Sequence, residues 1–327
     1  MQVPPLLEVK DVSVLFRVQG SRQRVRAVDG VSLAVRPRET VGIIGESGSG
    51  KSTLGRIMVC LQKPTTGQLT HEGVDPYRLS PAQLCRHRRD YQMVFQDPNA
   101  SLNPRLPVGA SIREPLDIEG TLPRSERDAR VLELMERVGL HRELAYRYPH
   151  ELSGGQKQRV NIARALTCRP KVIVCDEAVA ALDVSIQADV LNLLVELQQE
   201  FGLTYVFVSH DLGVVAHVSD TIAVMYLGKL MELGPSEVLM NGPLHPYTRA
   251  LLSAEPAPVP PSMRTQKRII LQGEIPSPLN PPSGCRFRTR CPVAANRCAT
   301  EEPAWKQHGE NHWVACHFAG KIQGGTP

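Results

Sequence analysis

The segment Gly45-Glu46-Ser47-Gly48-Ser49-Gly50-Lys51-Ser52 constrains this chain more than any other. It fits G-x-x-x-x-G-K-[ST], directly after the β-rich run Thr40 to Ile44 and ahead of a helical pattern from Thr53 to Leu61. Glycines let the backbone curl so that successive N–H groups point inward at phosphate oxygens, and a helix N-terminus behind them adds favourable partial charge. Lys51 supplies a point charge to the β- and γ-phosphates. The Ser52 hydroxyl suits Mg2+, the ion that bridges those phosphates. The segment therefore predicts magnesium-dependent ATP binding on a loop between a strand and a helix.

Downstream, Val172-Ile173-Val174-Cys175-Asp176-Glu177 reads as a buried strand ending in two acids, at the end where open α/β sheets place their ligand crevice. Asp176 is suited to hold Mg2+ through water, and Glu177 to orient or deprotonate the water that attacks the γ-phosphate. Alone, such acids often merely cap the following helix; beside a phosphate loop they form a hydrolytic pair. Val172 to Cys175 and Thr204 to Val208 are short runs separated by helical patterns, which is the mark of parallel strands with crossovers. Apolar residues recur at helical spacing from Ser125 to Val138 and from Val190 to Leu197, whereas Leu7 to Phe16 and Val31 to Val35 alternate as half-buried strands do. The expected class is α/β.

A chain of 327 residues with 42% hydrophobic side chains can bury a large core without disulfides. Its longest apolar stretches, such as Thr221 to Leu227, fall far short of the ~18 residues that suggest a membrane span. The start lacks a basic region followed by an apolar stretch, so no secretory signal is visible and a cytoplasmic location is expected. Net charge is +5 with both signs interleaved, weak support for nucleic-acid binding. The basic runs Arg86-His87-Arg88-Arg89 and Arg286-Phe287-Arg288-Thr289-Arg290 read as solvated surface.

A proline-rich stretch from Glu255 to Ser262 favours an extended linker and marks a boundary. The tail beyond it is poor in periodic apolar patterning and is not expected to form a core alone. Of the eight cysteines, Cys60, Cys85, Cys168 and Cys175 are scattered, while Cys285, Cys291, Cys298 and Cys316 cluster in this tail. In a reducing cytosol four clustered thiolates point to zinc or an iron–sulfur cluster, with a structural, unmetallated tail as the alternative. The spacing C-x5-C-x6-C-x17-C lacks the tight pairs of zinc ribbons and leaves the choice open.

Leu152-Ser153-Gly154-Gly155-Gln156 stands ahead of a helical run from Lys157 to Leu166. With the phosphate loop, Gln96 in Val94-Phe95-Gln96-Asp97, the two acids, Ala181-Leu182-Asp183 and His210 in Val208-Ser209-His210-Asp211, it resembles the ABC ATPase family in the family's order. The resemblance implies a P-loop ABC ATPase cassette over residues 1–254, with a mixed or parallel sheet and a helical signature subdomain at 97–168. It also implies a head-to-tail dimer. Each ATP would lie between Gly45 to Thr53 of one subunit and Ser153, Gly154, Gly155 and Gln156 of the other. Gln96 would sense Mg2+ and the attacking water, His210 would contact the γ-phosphate, and Asp183 would form the D-loop. Phe16 would stack on adenine, although an isolated Phe in a strand is as often core. Ala178 and Ala180 stand where family members carry Pro and Ser; with Glu177, Asp183 and His210 all present, hydrolysis is expected to be retained.

The segments Asn241 to Ser253 and Gly273 to Pro282 look like the C-terminal extension of dipeptide and oligopeptide importer ATPases, here residues 255–327. The resemblance is closest to the second ATPase subunit of dipeptide permeases, whose relatives can carry a four-cysteine [4Fe–4S] site. It favours [4Fe–4S] over zinc at Cys285, Cys291, Cys298 and Cys316. The implied function is to hydrolyse ATP at the cytoplasmic face of the membrane and so energise import of di- or oligopeptides. The implied partners are a paralogous second ATPase subunit, two permease subunits docking at Asp97 to Glu114, and an extracytoplasmic solute-binding protein. The rival reading, a soluble ABC ATPase acting on nucleic acid with a C-terminal metal module, lacks a second cassette, a long coiled coil or a strongly basic groove.

Overall fold

A computed structural model describes residues 4–18, 20, 23–254 and 269–321, so the boundary expected at Glu255 to Ser262 lies outside the described residues. In chain order the strands are β1 (Leu7–Arg17), β2 (Arg24–Val35), β3 (Thr40–Ile44), β4 (Thr66–His71), β5 (Tyr91–Val94), β6 (Val172–Asp176), β7 (Thr204–Ser209), β8 (Thr221–Tyr226), β9 (Lys229–Pro235), β10 (Lys306–Gly309) and β11 (His312–Val314). They form an antiparallel sheet ordered β2-β1-β4 and a mixed sheet ordered β10-β11-β9-β8-β3-β7-β6-β5.

Strands β3, β6 and β7 are buried along their whole length, and they read as near-continuous Val/Ile runs rather than alternating ones. They pair in parallel, Ile43 opposite Val208 and Val174 opposite Val206, so their C-terminal ends open on one edge. Helices Val184–Phe201 and Leu212–Val218 carry the chain from β6 to β7 and from β7 to β8, the crossovers that parallel neighbours require. The half-buried β1 and β2 turn Leu7, Val9, Val28 and Leu33 inward, closing a core with Ile43, Leu54 and Ile57. A second core joins helices Val108–Glu119, Arg124–Arg137, Gly154–Leu166 and Val184–Phe201 through Ile112, Met135, Val160 and Leu194. The helix after the phosphate loop ends at Met58 rather than Leu61, because Cys60 takes a left-handed φ of 61°.

The tail packs against the cassette. Fully buried Phe287 lies 5.4 Å from the ring of Tyr226 and 5.2 Å from that of Tyr247. β11 pairs antiparallel with β9, Trp313 opposite Leu233, and extends the main sheet. Glu232 on β9 is fully buried; it accepts N–H bonds from Leu244 at 2.7 Å and His245 at 3.1 Å and lies 2.8 Å from His312 Nε2. Burial pushes its carboxyl up, but these bonds outweigh burial and hold it below the usual glutamate value. Phe287→Ala is expected to destabilise the chain by about 3–5 kcal/mol, read as a lower urea midpoint at unchanged slope.

Candidate active site

β3 delivers the phosphate loop and helix Lys51–Met58 receives it. Gly45 takes a φ of 151° and Gly50 one of 102°, and a Cβ on either would lie 2.1 Å from a backbone oxygen, of Met225 and Ala27 respectively. Glycine is the residue that fits both constraints. The loop curls over Lys51, which is 4% exposed. Its Nζ donates to the carbonyls of Gly45 at 2.7 Å and Glu46 at 2.9 Å. Burial lowers the Lys51 pKa, opposed by the carboxylates of Glu177, Asp176 and Glu46. The ammonium is thus fixed inside the cradle.

Ser52 Oγ donates to Asp176 Oδ1 at 2.7 Å, tying the helix start to the end of β6. Burial raises the Asp176 carboxyl and the Ser52 bond opposes it. A hydroxyl paired with a buried carboxylate is a hard-oxygen donor set that fits Mg2+. Glu177 follows with a left-handed φ of 47°, a strained conformation for a residue with a Cβ. Its N–H donates to Val208 O at 2.8 Å, and its carbonyl accepts from Ala180 N–H at 3.1 Å. Ala178 and Val179 are buried. The turn is therefore tied by backbone and packing without the Pro and Ser that family members carry. Glu177 Oε2 accepts from Gln96 Nε2 at 2.7 Å, and Oε1 lies 3.5 Å from His210 Nδ1. Gln96, Glu177 and His210 meet at the open edge of the sheet.

Ser153 caps helix Gly154–Leu166 in a reciprocal pair: Ser153 Oγ accepts Gln156 N–H at 3.3 Å and Gln156 Oε1 accepts Ser153 N–H at 2.9 Å. A Cβ on Gly155 would stand 2.6 Å from Ile186, so the helix tip sits tightly on helix Val184–Phe201. Ser153, Gly154 and Asp183 are exposed. Among the described residues no hydrogen bond joins Ser153 to Gln156 with Gly45 to Thr53 of the same chain. Phe16, near the end of β1, is 40% exposed, which removes the core reading for it.

The basic run at 286–290 is not the solvated surface expected of it, whereas in the run at 86–89 Arg86 and Arg88 are exposed. Arg286 is 7% exposed and donates to Leu227 O and to Asp29 Oδ2, while Arg290 Nη1 donates to Glu46 Oε2 at 2.6 Å. Arg88 donates to Cys60 O at 2.7 Å, and Arg89 pairs with Glu119 at 2.6 Å. Chain crossings bring carboxylates and carbonyls to these guanidinium groups, and buried charge requires such partners.

The tail cysteines are free thiols. Burial, aided by charge on the other tail thiols, pushes Cys285 up to about 11 and Cys291 to about 12. Backbone N–H groups reach the sulfurs, those of Phe287 and Arg288 to Cys285, Val293 to Cys291, and Phe318 to Cys316 at 3.4 Å. Among the described residues no three His, Cys, Asp or Glu side chains stand in position for a single metal ion.

Comparison with known proteins agrees with this geometry. Residues 28–180 match the family described as ABC transporter, and residues 231–298 match the oligopeptide/dipeptide transporter C-terminal region. The chain is 53% identical over 319 residues to the oligopeptide transport ATP-binding protein AppF of Bacillus subtilis, covering 96% of this chain and 97% of that protein. A dimeric ATP-binding cassette in a post-hydrolysis state, bound to ADP and Pi, superposes with a TM-score of 0.64 at 33% identity, over 70% of this chain and 98% of that one. CbiO1 from Clostridium perfringens, part of the ABC transporter complex cbiONQ, does so with a TM-score of 0.64 at 28% identity, over 73% and 92%. Glu177→Gln is expected to lower phosphate release by the assembled transporter at least about a hundredfold while Mg·ATP binding persists; unchanged turnover would remove Glu177 from the reaction.

Proposed function

The chain belongs to the ABC transporter ATPases, in the oligopeptide/dipeptide importer branch, and from that premise we propose how its residues couple ATP to peptide uptake. It is the ATP-binding subunit of a peptide importer, and its hydrolysis of ATP drives import. No comparison supports the nucleic-acid alternative. The observation that carries the reading is the convergence of the Lys51 cradle, the Ser52–Asp176 pair and the Gln96–Glu177–His210 group at one edge of the sheet.

In this reading the triphosphate displaces the Gly45 and Glu46 carbonyls as the partner of Lys51, and loop N–H groups from Gly45 to Thr53 hold its oxygens. Ser52 and Asp176 would hold Mg2+, which when bound would supply neutralisation of phosphate charge. Glu177 draws the proton of the attacking water, Gln96 aims that carboxylate, and His210 faces the γ-phosphate. Phe16, being exposed, is free to stack on adenine. The helix tip at Ser153, Gly154, Gly155 and Gln156, exposed at Ser153 and Gly154, serves the partner subunit's ATP, with Asp183 alongside, so the active unit is a head-to-tail dimer. The partner is a paralogue.

Permease docking at Asp97 to Glu114 extends into a groove that Glu114 also lines. This groove encloses about 680 Å³ between the Arg86 to Phe95 stretch and helix Val108–Glu119. Leu61, Met93, Phe95 and Ile118 make it apolar, and Arg86, Arg89, Glu114 and Glu119 rim it. Such a mixture accepts an amphipathic cytoplasmic helix of a permease subunit. Among the described residues no helix is long and apolar enough to cross a membrane; membership of the importer branch is what favours a peripheral place on the cytoplasmic face. An extracytoplasmic binding protein delivers the peptide. Ile118→Asp, at a side chain 75% exposed, is expected to abolish co-purification of the permease subunits while ATP binding by the chain persists; retained permease would sink the groove assignment.

Cys285, Cys291, Cys298 and Cys316 are assigned to a [4Fe–4S] cluster, which would cross-link the tail. Two features support this: backbone N–H groups directed at the sulfurs, which would stabilise thiolates, and thiols within electrostatic reach of one another. Anaerobically purified chain is expected to contain iron and sulfide and to absorb broadly in the visible. Colourless protein with stoichiometric zinc would reverse the assignment.

A further inference from the structure

Glu46 places an acid at the second position of the phosphate loop, where a free carboxylate would repel the triphosphate and compete for Lys51. It is close enough to Lys51 to act on it electrostatically. The C-terminal part of the chain holds Glu46 twice. Its N–H donates to Tyr247 OH at 2.8 Å, and its carboxylate accepts from Arg290 Nη1 at 2.6 Å. The Arg290 side chain is 9% exposed and its guanidinium lies 6.0 Å from the Tyr226 ring centroid. Tyr226 packs on Tyr247 at 4.9 Å. Arg286 anchors the same segment to Leu227 O and Asp29, and Gly228 N–H in turn donates to Ser49 O at 2.8 Å. The segment that carries Arg290 is therefore fastened to the loop's own floor.

We infer that Arg290 is a positioning residue for ATP: it neutralises the Glu46 carboxylate and draws it away from Lys51 and the phosphate cradle. The inference rests on the reading of Gly45 to Ser52 as the triphosphate site. A guanidinium paired with a partly buried carboxylate forms a strong, charge-assisted bond. Removing the cation leaves the anion beside the ligand's own charge, so the cost falls on nucleotide affinity and not on the chemical step. A merely structural Arg290 would instead act through tail packing, and its loss would not depend on whether residue 46 is charged.

Binding of a fluorescent ATP analogue to the full-length chain with Mg2+ separates these cases. Arg290→Met keeps the side-chain stem over Tyr226 and is expected to weaken binding about tenfold, with a defect that shrinks at high salt. Arg290→Lys is expected to retain most of the affinity. Glu46→Gln is expected to bind about two- to threefold more tightly than the parent, and in the double variant it restores what Arg290→Met lost. In the assembled transporter Arg290→Met raises the KM for ATP at unchanged kcat. If Arg290→Met fails to fold, Arg290→Gln carries the same comparison. Parental affinity in Arg290→Met, or a double variant as weak as Arg290→Met alone, overturns the inference. Lys51→Ala tests the underlying site: if it binds as the parent does, the loop reading fails independently of Arg290.

Discussion

An ammonium buried beneath its own loop is the constraint around which the site is built. Lys51 is buried, where an unpaired cation is costly, and the carbonyls of Gly45 and Glu46 satisfy it. Those carbonyls can turn inward because Gly45 and Gly50 adopt backbone conformations in which a Cβ would strike Met225 O or Ala27 O. The enclosure exists because β3, β6 and β7 run parallel and end together, so three carboxylates face the ammonium from neighbouring elements. Positive and negative groups are fixed before any ligand arrives, and little rearrangement remains for the moment of reaction.

Strain enters at Glu177. A left-handed φ on a residue with a Cβ persists where its surroundings over-determine it, and here Val208, Ala180 and Gln96 do so. The result sends Asp176 toward Ser52 and Glu177 toward His210, so two adjacent acids meet different partners. The fold obtains two roles from one strand end.

The phosphate loop, the acidic strand end and the Ser153 helix cap were legible because each is written in adjacent residues whose chemistry is local. Strands β3, β6 and β7 were legible because burial on both faces leaves a continuous apolar run. The arginines at 286 and 290 were not, because their partners Asp29 and Glu46 lie 257 and 244 residues away, and nothing beside the run signals the crossing. The φ of Glu177 leaves no trace in residue type. The strand β10 has every residue exposed, and β11 spans three residues, so neither has a pattern to read; pairing of β11 with β9 and of β10 with β11 specifies them. Phe16 stood evenly between core and adenine stacking by type, and its place near the end of β1, 40% exposed, sets aside the core alternative.

The same pairing sets a timetable for synthesis. β8 and β9 can join as a hairpin once β9 has emerged, but the outer edge of β9 lacks its β11 partner until His312 to Val314 leave the ribosome. Throughout that interval the nascent chain displays a row of free N–H and C=O groups, the kind of edge along which strands of separate molecules zip together. The β10–β11 hairpin is thus also a cover, and a message truncated shortly before it would release a cassette complete in its chemistry yet prone to self-association.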